Sequence, residues 1–104
     1  MKTNPTALTE AIYYILLALQ EPIHGYGIMQ KTSAMSRGRL TLSAGTLYGA
    51  LNAMVDKGWI TLLPGEGRKK DYRLTPLGLE VLKKELERLR ELVASGDLVM
   101  KEEA

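Results

Sequence analysis

Residues 43–60, SAGTLYGALNAMVDKGWI, decide how the rest of the chain is read. Ser43 suits a helix N-cap, because its hydroxyl can accept a hydrogen bond from a free amide of the first turn. Leu47, Leu51, Met54 and Val55 then recur at helical spacing and form one apolar stripe. Gly58 stands where a glycine lets the chain turn out of a helix. The opposite face carries Gly45, Gly49, Asn52 and Asp56, flanked by Thr46, Tyr48 and Ala53. That face is small and polar with one aromatic, so another body can approach it closely. A β-type run follows from Trp59 to Leu63, Pro64-Gly65-Glu66-Gly67 breaks it, and Asp71 to Leu74 returns. Arg68, Lys69 and Lys70 crowd together between the two runs. Helix, short strand and basic hairpin in that order predict a winged helix-turn-helix, mainly α with a small β-hairpin.

Charge supports this layout. The chain as a whole carries only +2, but residues 37–73 hold seven basic residues against three acidic ones, a local excess of +4. Residues 1–36 are neutral and residues 74–104 carry −2. A basic stripe confined to the candidate helix and hairpin is the footprint of a phosphate-binding surface. Arg37 and Arg39, in the connector RGRLTL before the helix, suit either a solvated turn or a phosphate contact.

On the N-terminal side, Asn4-Pro5 reads as the start of a first helix running to about residue 20. Leu8, Ile12, Ile15 and Leu19 form one stripe and Ala11, Tyr14 and Ala18 a second, so this helix is apolar nearly all round. Such a helix is covered on more than one side, which predicts a second subunit against it. Glu21-Pro22 ends it. His24 to about Ser36 is the second helix, with Tyr26, Met29 and Met35 expected in the core. Gly25 and Gly27 near its start imply close approach to a neighbour, and the lone His24 suits a capping role better than a metal or catalytic one.

On the C-terminal side, Thr75-Pro76 opens the last helix. Leu79, Leu82, Leu86, Leu89 and Val93 follow at spacings of a heptad seam. This helix comes after a domain that already looks complete, so the seam is expected to pair across a twofold axis. Ser95-Gly96 is expected to stop it, leaving a frayed tail. The chain divides on this reading into a winged domain over 1–74 and a dimerisation helix with a short tail over 75–104.

What is missing narrows the function. There is no cysteine, so neither a disulfide framework nor a thiolate metal site is available, and a reducing cytoplasm is the expected setting. No run of apolar residues is long enough to cross a bilayer. The glycines match no phosphate-loop or dinucleotide fingerprint, no serine has an adjacent base, and the late carboxylates alternate with Lys and Arg. An enzyme, a metal and a cofactor are therefore not expected.

Three blocks resemble one family. GTLY at Gly45–Tyr48 with Ala50-Leu51 and KGWI at Lys57–Ile60, HGYGI at His24–Ile28, and RKKDYRLTPLG at Arg68–Gly78 are similar, in order, to the PadR family of transcriptional regulators. The single helix after the wing resembles the family's short-tailed branch. The resemblance implies a homodimeric repressor on a pseudo-palindromic DNA operator, released by a small apolar or aromatic effector near the dimer interface. Candidate DNA contacts are Arg37, Arg39, Ser43, Thr46, Tyr48, Gly49, Asn52, Arg68, Lys69 and Lys70. Asn52 suits an adenine edge, and Tyr48, by the resemblance, reaches the backbone. Candidate dimer residues are Leu8, Ile12, Ile15, Leu79, Leu82, Leu86, Leu89 and Val93. The candidate effector lining is Leu8, Ala11, Ile15, Leu82, Leu86 and Leu89. The competing function is a winged-helix dimer that docks proteins and ignores DNA.

Overall fold

The computed structural model describes residues 7–65 and 70–101. Its elements run α1 (Glu10–Ala18), β1 (Ile23–His24), α2 (Gly25–Met35), α3 (Ala44–Asp56), β2 (Ile60–Leu62), β3 (Asp71–Leu74) and α4 (Pro76–Met100). The sheet has three strands rather than the two of a hairpin. β3 is central, antiparallel to β1 on one side and to β2 on the other. Tyr72 thus lies opposite both Ile23 and Leu62. Two residues of β1 are too few to leave an alternating pattern, so that strand has no signature in the sequence.

Each helix start is fixed by a side chain whose oxygen or nitrogen accepts an otherwise unpaired amide. Ser43 Oγ accepts from the Thr46 amide at 3.2 Å and Thr75 Oγ1 from the Gly78 amide at 3.0 Å, as their positions predict. His24 Nδ1 does the same for Gly27 at 3.1 Å, which makes the lone histidine a cap. At the other end of α3, Gly58 takes φ 80°, and the Trp59 amide reaches back to the Met54 carbonyl at 3.0 Å. This left-handed closure turns the chain sharply into β2.

The first helix is shorter than its apolar pattern suggests. Thr9 caps α1, its Oγ1 accepting from the Ile12 amide at 3.2 Å, and residues 7–9 are not helical. Asn4 and Pro5 lie outside the described residues. At its far end α4 runs through Ser95-Gly96 to Met100, where a stop and a frayed tail were expected. Neither residue breaks a helix that is already propagating; glycine only weakens it.

One core joins α1, α2, α3, β2, β3 and the first half of α4. Ile15, Leu16, Ile28, Leu47 and Leu51 are completely buried, with Leu19, Met54, Ile60 and Leu82 nearly so. Each such side chain stabilises the fold by about 1.5–3 kcal/mol relative to exposure. From α2 the core takes Ile28 and Thr32, not Tyr26 and Met35, which are exposed. Thr32 is tolerated there because its hydroxyl donates to the Met29 carbonyl at 3.0 Å, leaving no unpaired polar group. Val55, expected on the inner stripe of α3, is likewise exposed, one position round from Met54.

Gly78 explains how α4 is anchored. A Cβ there would meet the Trp59 carbonyl, with its carbon at 2.9 Å and Leu74 Cδ1 at 3.0 Å. Trp59 also receives the Thr75 amide at 3.0 Å and the Thr75 hydroxyl at 2.9 Å on that carbonyl. The first turn of α4 is thereby pressed directly onto the backbone leading into β2.

Candidate nucleic-acid interface

Helix α3 has one face in the core and one bare. Leu47, Leu51 and Met54 are inside, while Gly45, Thr46, Tyr48, Gly49, Asn52 and Asp56 are all exposed. A Cβ added at Gly45 or at Gly49 would meet nothing within 4 Å. These two glycines therefore leave open space on that face, and nothing among the described residues requires them. Ser43 donates its hydroxyl to Thr46 Oγ1 at 3.0 Å besides capping the helix, so both oxygens are held at the N-terminal end of the bare face. That end also carries the positive pole of the helix dipole, which favours an anion.

The wing borders this face. Lys70 is exposed and lines, with Tyr48, Tyr72 and the first turn of α2, a cavity of about 420 Å³ between α2, α3 and the sheet. Tyr72 is almost fully buried, and that burial, with the nearby Tyr48 adding to it, pushes its hydroxyl above the ordinary tyrosine range. It stays neutral and available as a donor. Arg68 and Lys69 lie outside the described residues.

The two connector arginines part company. Arg37 is exposed in the left-handed region at φ 57°, at the end of α2. Arg39 forms an ion pair with Glu10 and approaches the Tyr14 hydroxyl at 3.5 Å, so it ties the connector to α1. The Glu10 carboxylate raises the Arg39 guanidinium further above its already high value. A phosphate contact by Arg39 would have to compete with that pair.

The candidate dimer residues separate as well. Ile15 is completely buried and Leu82 nearly so within the chain's own core, so neither offers surface to a second subunit. Leu8, Ile12, Leu86 and Leu89 are half-buried, and Leu79 and Val93 exposed. The six residues grouped as an effector lining are not gathered by the cavity between α1 and α4. That cavity, of about 530 Å³, shares only Leu8 with those six; Ile12, Trp59, Val81, Glu85 and Arg88 supply most of the rest.

Glu85 departs from the solvated carboxylates that the alternation of acidic and basic residues after Glu80 predicts. It is only 5% exposed and accepts from Arg88 Nε at 2.9 Å and Nη2 at 2.6 Å. Hydrogen bonding from Arg88 lowers the Glu85 carboxyl below the usual range; burial opposes this, while the Leu8 amide and the Arg88 charge add to it. The available signal was its place on the Gly78–Leu82–Leu89 face with an arginine three residues on.

A capped helix with a bare polar face, a second helix crossing behind it and a three-stranded wing define a winged helix-turn-helix protein. The model of the PadR-like family of transcriptional regulators matches residues 15–84. The chain belongs to that family, whose members are regulators and not enzymes. The crystal structure of a PadR family transcription regulator from Clostridium difficile superposes with a TM-score of 0.75 over 88% of this chain and 99% of that one, at 24% identity. Bacillus subtilis PadR in complex with operator DNA superposes with a TM-score of 0.62 at 26% identity, over 72% of this chain and 46% of that chain. A 37.1 kDa uncharacterized protein in transposon TN4556 of Streptomyces fradiae is 37% identical over 86 residues, which make up 82% of this chain but 23% of that protein. The chain therefore spans under a quarter of that relative's length. Among the described residues no helix is long and apolar enough to cross a membrane.

Proposed function

We propose that the chain is a DNA-binding repressor that works as a homodimer and reads DNA with the bare face of α3. The observation that carries this is the pairing of two vacant glycines, Gly45 and Gly49, with exposed Thr46 and Asn52 on a firmly capped helix beside a basic wing. A major groove needs close approach and hydrogen-bonding edges, and this face offers both. The related PadR of Bacillus subtilis, solved with operator DNA, supports the same use of the fold here. Two such helices in a twofold dimer would enter successive major grooves about one helical turn, roughly 34 Å, apart.

The second half of α4 supports the dimer. Every residue from Arg90 to Met100 is exposed, among them Leu92, Val93, Leu98, Val99 and Met100. Apolar side chains in such number on one projecting helix call for a partner, and a second α4 with the same stripe supplies it. An apolar or aromatic effector at this interface, reaching the cavity between α1 and α4, would alter the spacing of the two α3 helices and release the DNA.

The test begins with genomic fragments retained by the protein, which define an operator. Asn52→Ala is expected to weaken operator binding by about 1–3 kcal/mol and binding to scrambled duplex very little. Lys70→Ala should weaken both alike and flatten the salt dependence by about one unit of slope. A dimer that retains no fragment and ignores duplex DNA at low salt would instead be the protein-docking module.

A further inference from the structure

We propose that Gly25 is a positioning residue for DNA binding: its missing side chain is the seat that holds the Tyr48 ring, and so its hydroxyl, at the DNA-facing edge of α3. This rests on the reading of α3 as the DNA-facing helix. A Cβ at Gly25 would run into the Tyr48 hydroxyl, with Cζ at 2.6 Å and Cε1 at 3.0 Å. The hydroxyl end of Tyr48 thus lies against the start of α2 at Gly25, where any side chain would push it aside.

Two further observations separate this from ordinary packing. Among the described residues the positive-φ glycines are Gly38 and Gly58, so the backbone at Gly25 is one that alanine adopts freely. Gly25 is the first residue of α2, and nothing in a helix start excludes alanine. What the position demands is the absence of a side chain, and Tyr48 is what fills the space. Tyr48 itself is 43% exposed, and among the described residues its hydroxyl has no hydrogen-bond partner. The seat on Gly25 is therefore what sets its direction. With the ring seated, the hydroxyl borders the same concave surface as Lys70, so one donor from α3 and one cation from the wing face a single stretch of DNA backbone.

The experiment is a double-mutant cycle on the full chain: wild type, Gly25→Ala, Tyr48→Ala and the pair, with Tyr48→Phe alongside. Thermal unfolding reads the seat without DNA. The Tyr48 ring end can swing aside, so Gly25→Ala should shift the melting temperature less favourably in the wild-type background than in Tyr48→Ala, where the space is open; equal shifts in both backgrounds overturn the seat. Should Gly25→Ala alone fail to fold, folding restored by adding Tyr48→Ala supports it, and failure of both variants overturns it.

Affinity then reads the role, on duplexes recovered from the genomic selection and on scrambled ones. Tyr48→Phe keeps the ring and drops the hydroxyl, and should lose roughly tenfold on both duplexes, the worth of one hydrogen bond to a charged acceptor. Gly25→Ala should lose about as much on both, and Gly25→Ala with Tyr48→Phe no more than either alone. Additive losses, or a folded Gly25→Ala that binds as wild type, overturn the positioning role. If the wild type binds no duplex, the DNA-facing reading has failed, and the thermal cycle still decides the seat.

Discussion

Helices α3 and α4 each commit one part to the core and leave another bare, and the bare parts are opposites. On α3 the free side is a face: Gly45, Thr46, Gly49, Asn52 and Asp56, small and polar, over a buried stripe of Leu47, Leu51 and Met54. On α4 the free part is an end: Gly78, Leu82 and Glu85 are inside, whereas nothing from Arg90 to Met100 is. Its side chains there include five large apolar ones. Exposure alone says only that the protomer's own core does not use these parts. Their chemistry supports the two proposed partners: hydrogen-bonding edges and room to approach suit a groove, and an apolar stripe suits a copy of itself. The glycines mark a second contrast, between anchored and free: Gly78 is pressed on backbone, while Gly49 on α3 and Gly96 on α4 face open space.

The largest expected effect follows from Gly78. Its Cβ would strike the Trp59 carbonyl, which is main chain and cannot rotate away as a flexible side chain can. Gly78→Ala is therefore expected to destabilise the protein by about 3 kcal/mol, despite alanine's better helix propensity. Urea unfolding measures it. A loss below that expected from a surface substitution would mean that α4 is not anchored where the Trp59 carbonyl receives it, and the contrast between its two halves would dissolve.

Next in size is a charge on the bare end. Val93→Asp sits at a position that is 62% exposed, so the protomer's own fold has little to lose. If the stripe pairs with a second copy, the aspartate is buried there without a partner, and association weakens by about 2 kcal/mol or more. Sedimentation velocity should show the dimer giving way to monomer while the circular dichroism spectrum keeps its helical amplitude. An unchanged dimer moves the interface elsewhere, to α1 or the half-buried Leu86 and Leu89.

How far these features were legible in the sequence depended on their range. Ser43, Thr75 and Gly58 act on neighbours within one turn, so residue type and position were enough. His24 capped as its isolation suggested. Burial is set by what lies across the fold, and there hydrophobicity misled: Tyr26 and Met35 are outside while Thr32 and Glu85 are inside. The heptad from Leu79 to Val93 likewise established a helix but not which turns meet the protein's own core. Leu82 does, Val93 does not, and no spacing within the helix distinguishes them. For the candidate site, the outward face of α3 was readable because helical periodicity fixes which side is opposite the leucines. The role of Gly25 was half readable: close approach could be inferred, but not that Tyr48 was the neighbour.

Glu85 gives a smaller effect, and one that depends on pH. Arg88 holds its carboxyl below the usual range in the folded protein, so the unfolded chain binds that proton more tightly. Stability from this group is then present above the unfolded carboxylate range and lost as pH falls through the lower folded value. Wild type should lose stability on that acid limb, and Glu85→Gln, with no proton to bind there, should show a flatter limb and a lower melting temperature at neutral pH. Parallel limbs for the two proteins would mean that the ion pair contributes nothing to the anchored half of α4.

The smallest effects come from the two glycines in open space, and they test the contrast where it is most delicate. Gly49 and Gly96 are each helical, and an added Cβ meets nothing within 4 Å at either. Alanine at a free helical position is worth about 0.5–1 kcal/mol over glycine, so both substitutions should raise the thermal stability of the folded chain by similar amounts. Their effects on partners should differ. Gly49→Ala adds a methyl to the face proposed to approach a groove, and operator affinity should fall while the dimer is untouched. Gly96→Ala adds one to the free end of α4, where it should leave DNA binding to an intact dimer alone. If a second α4 crosses closely at Gly96, the methyl will weaken the dimer instead, which sedimentation at several concentrations detects. A Gly49→Ala protein that is both more stable and fully competent on the operator would show that α3 does not need its vacant face, and that DNA, if bound, lies elsewhere.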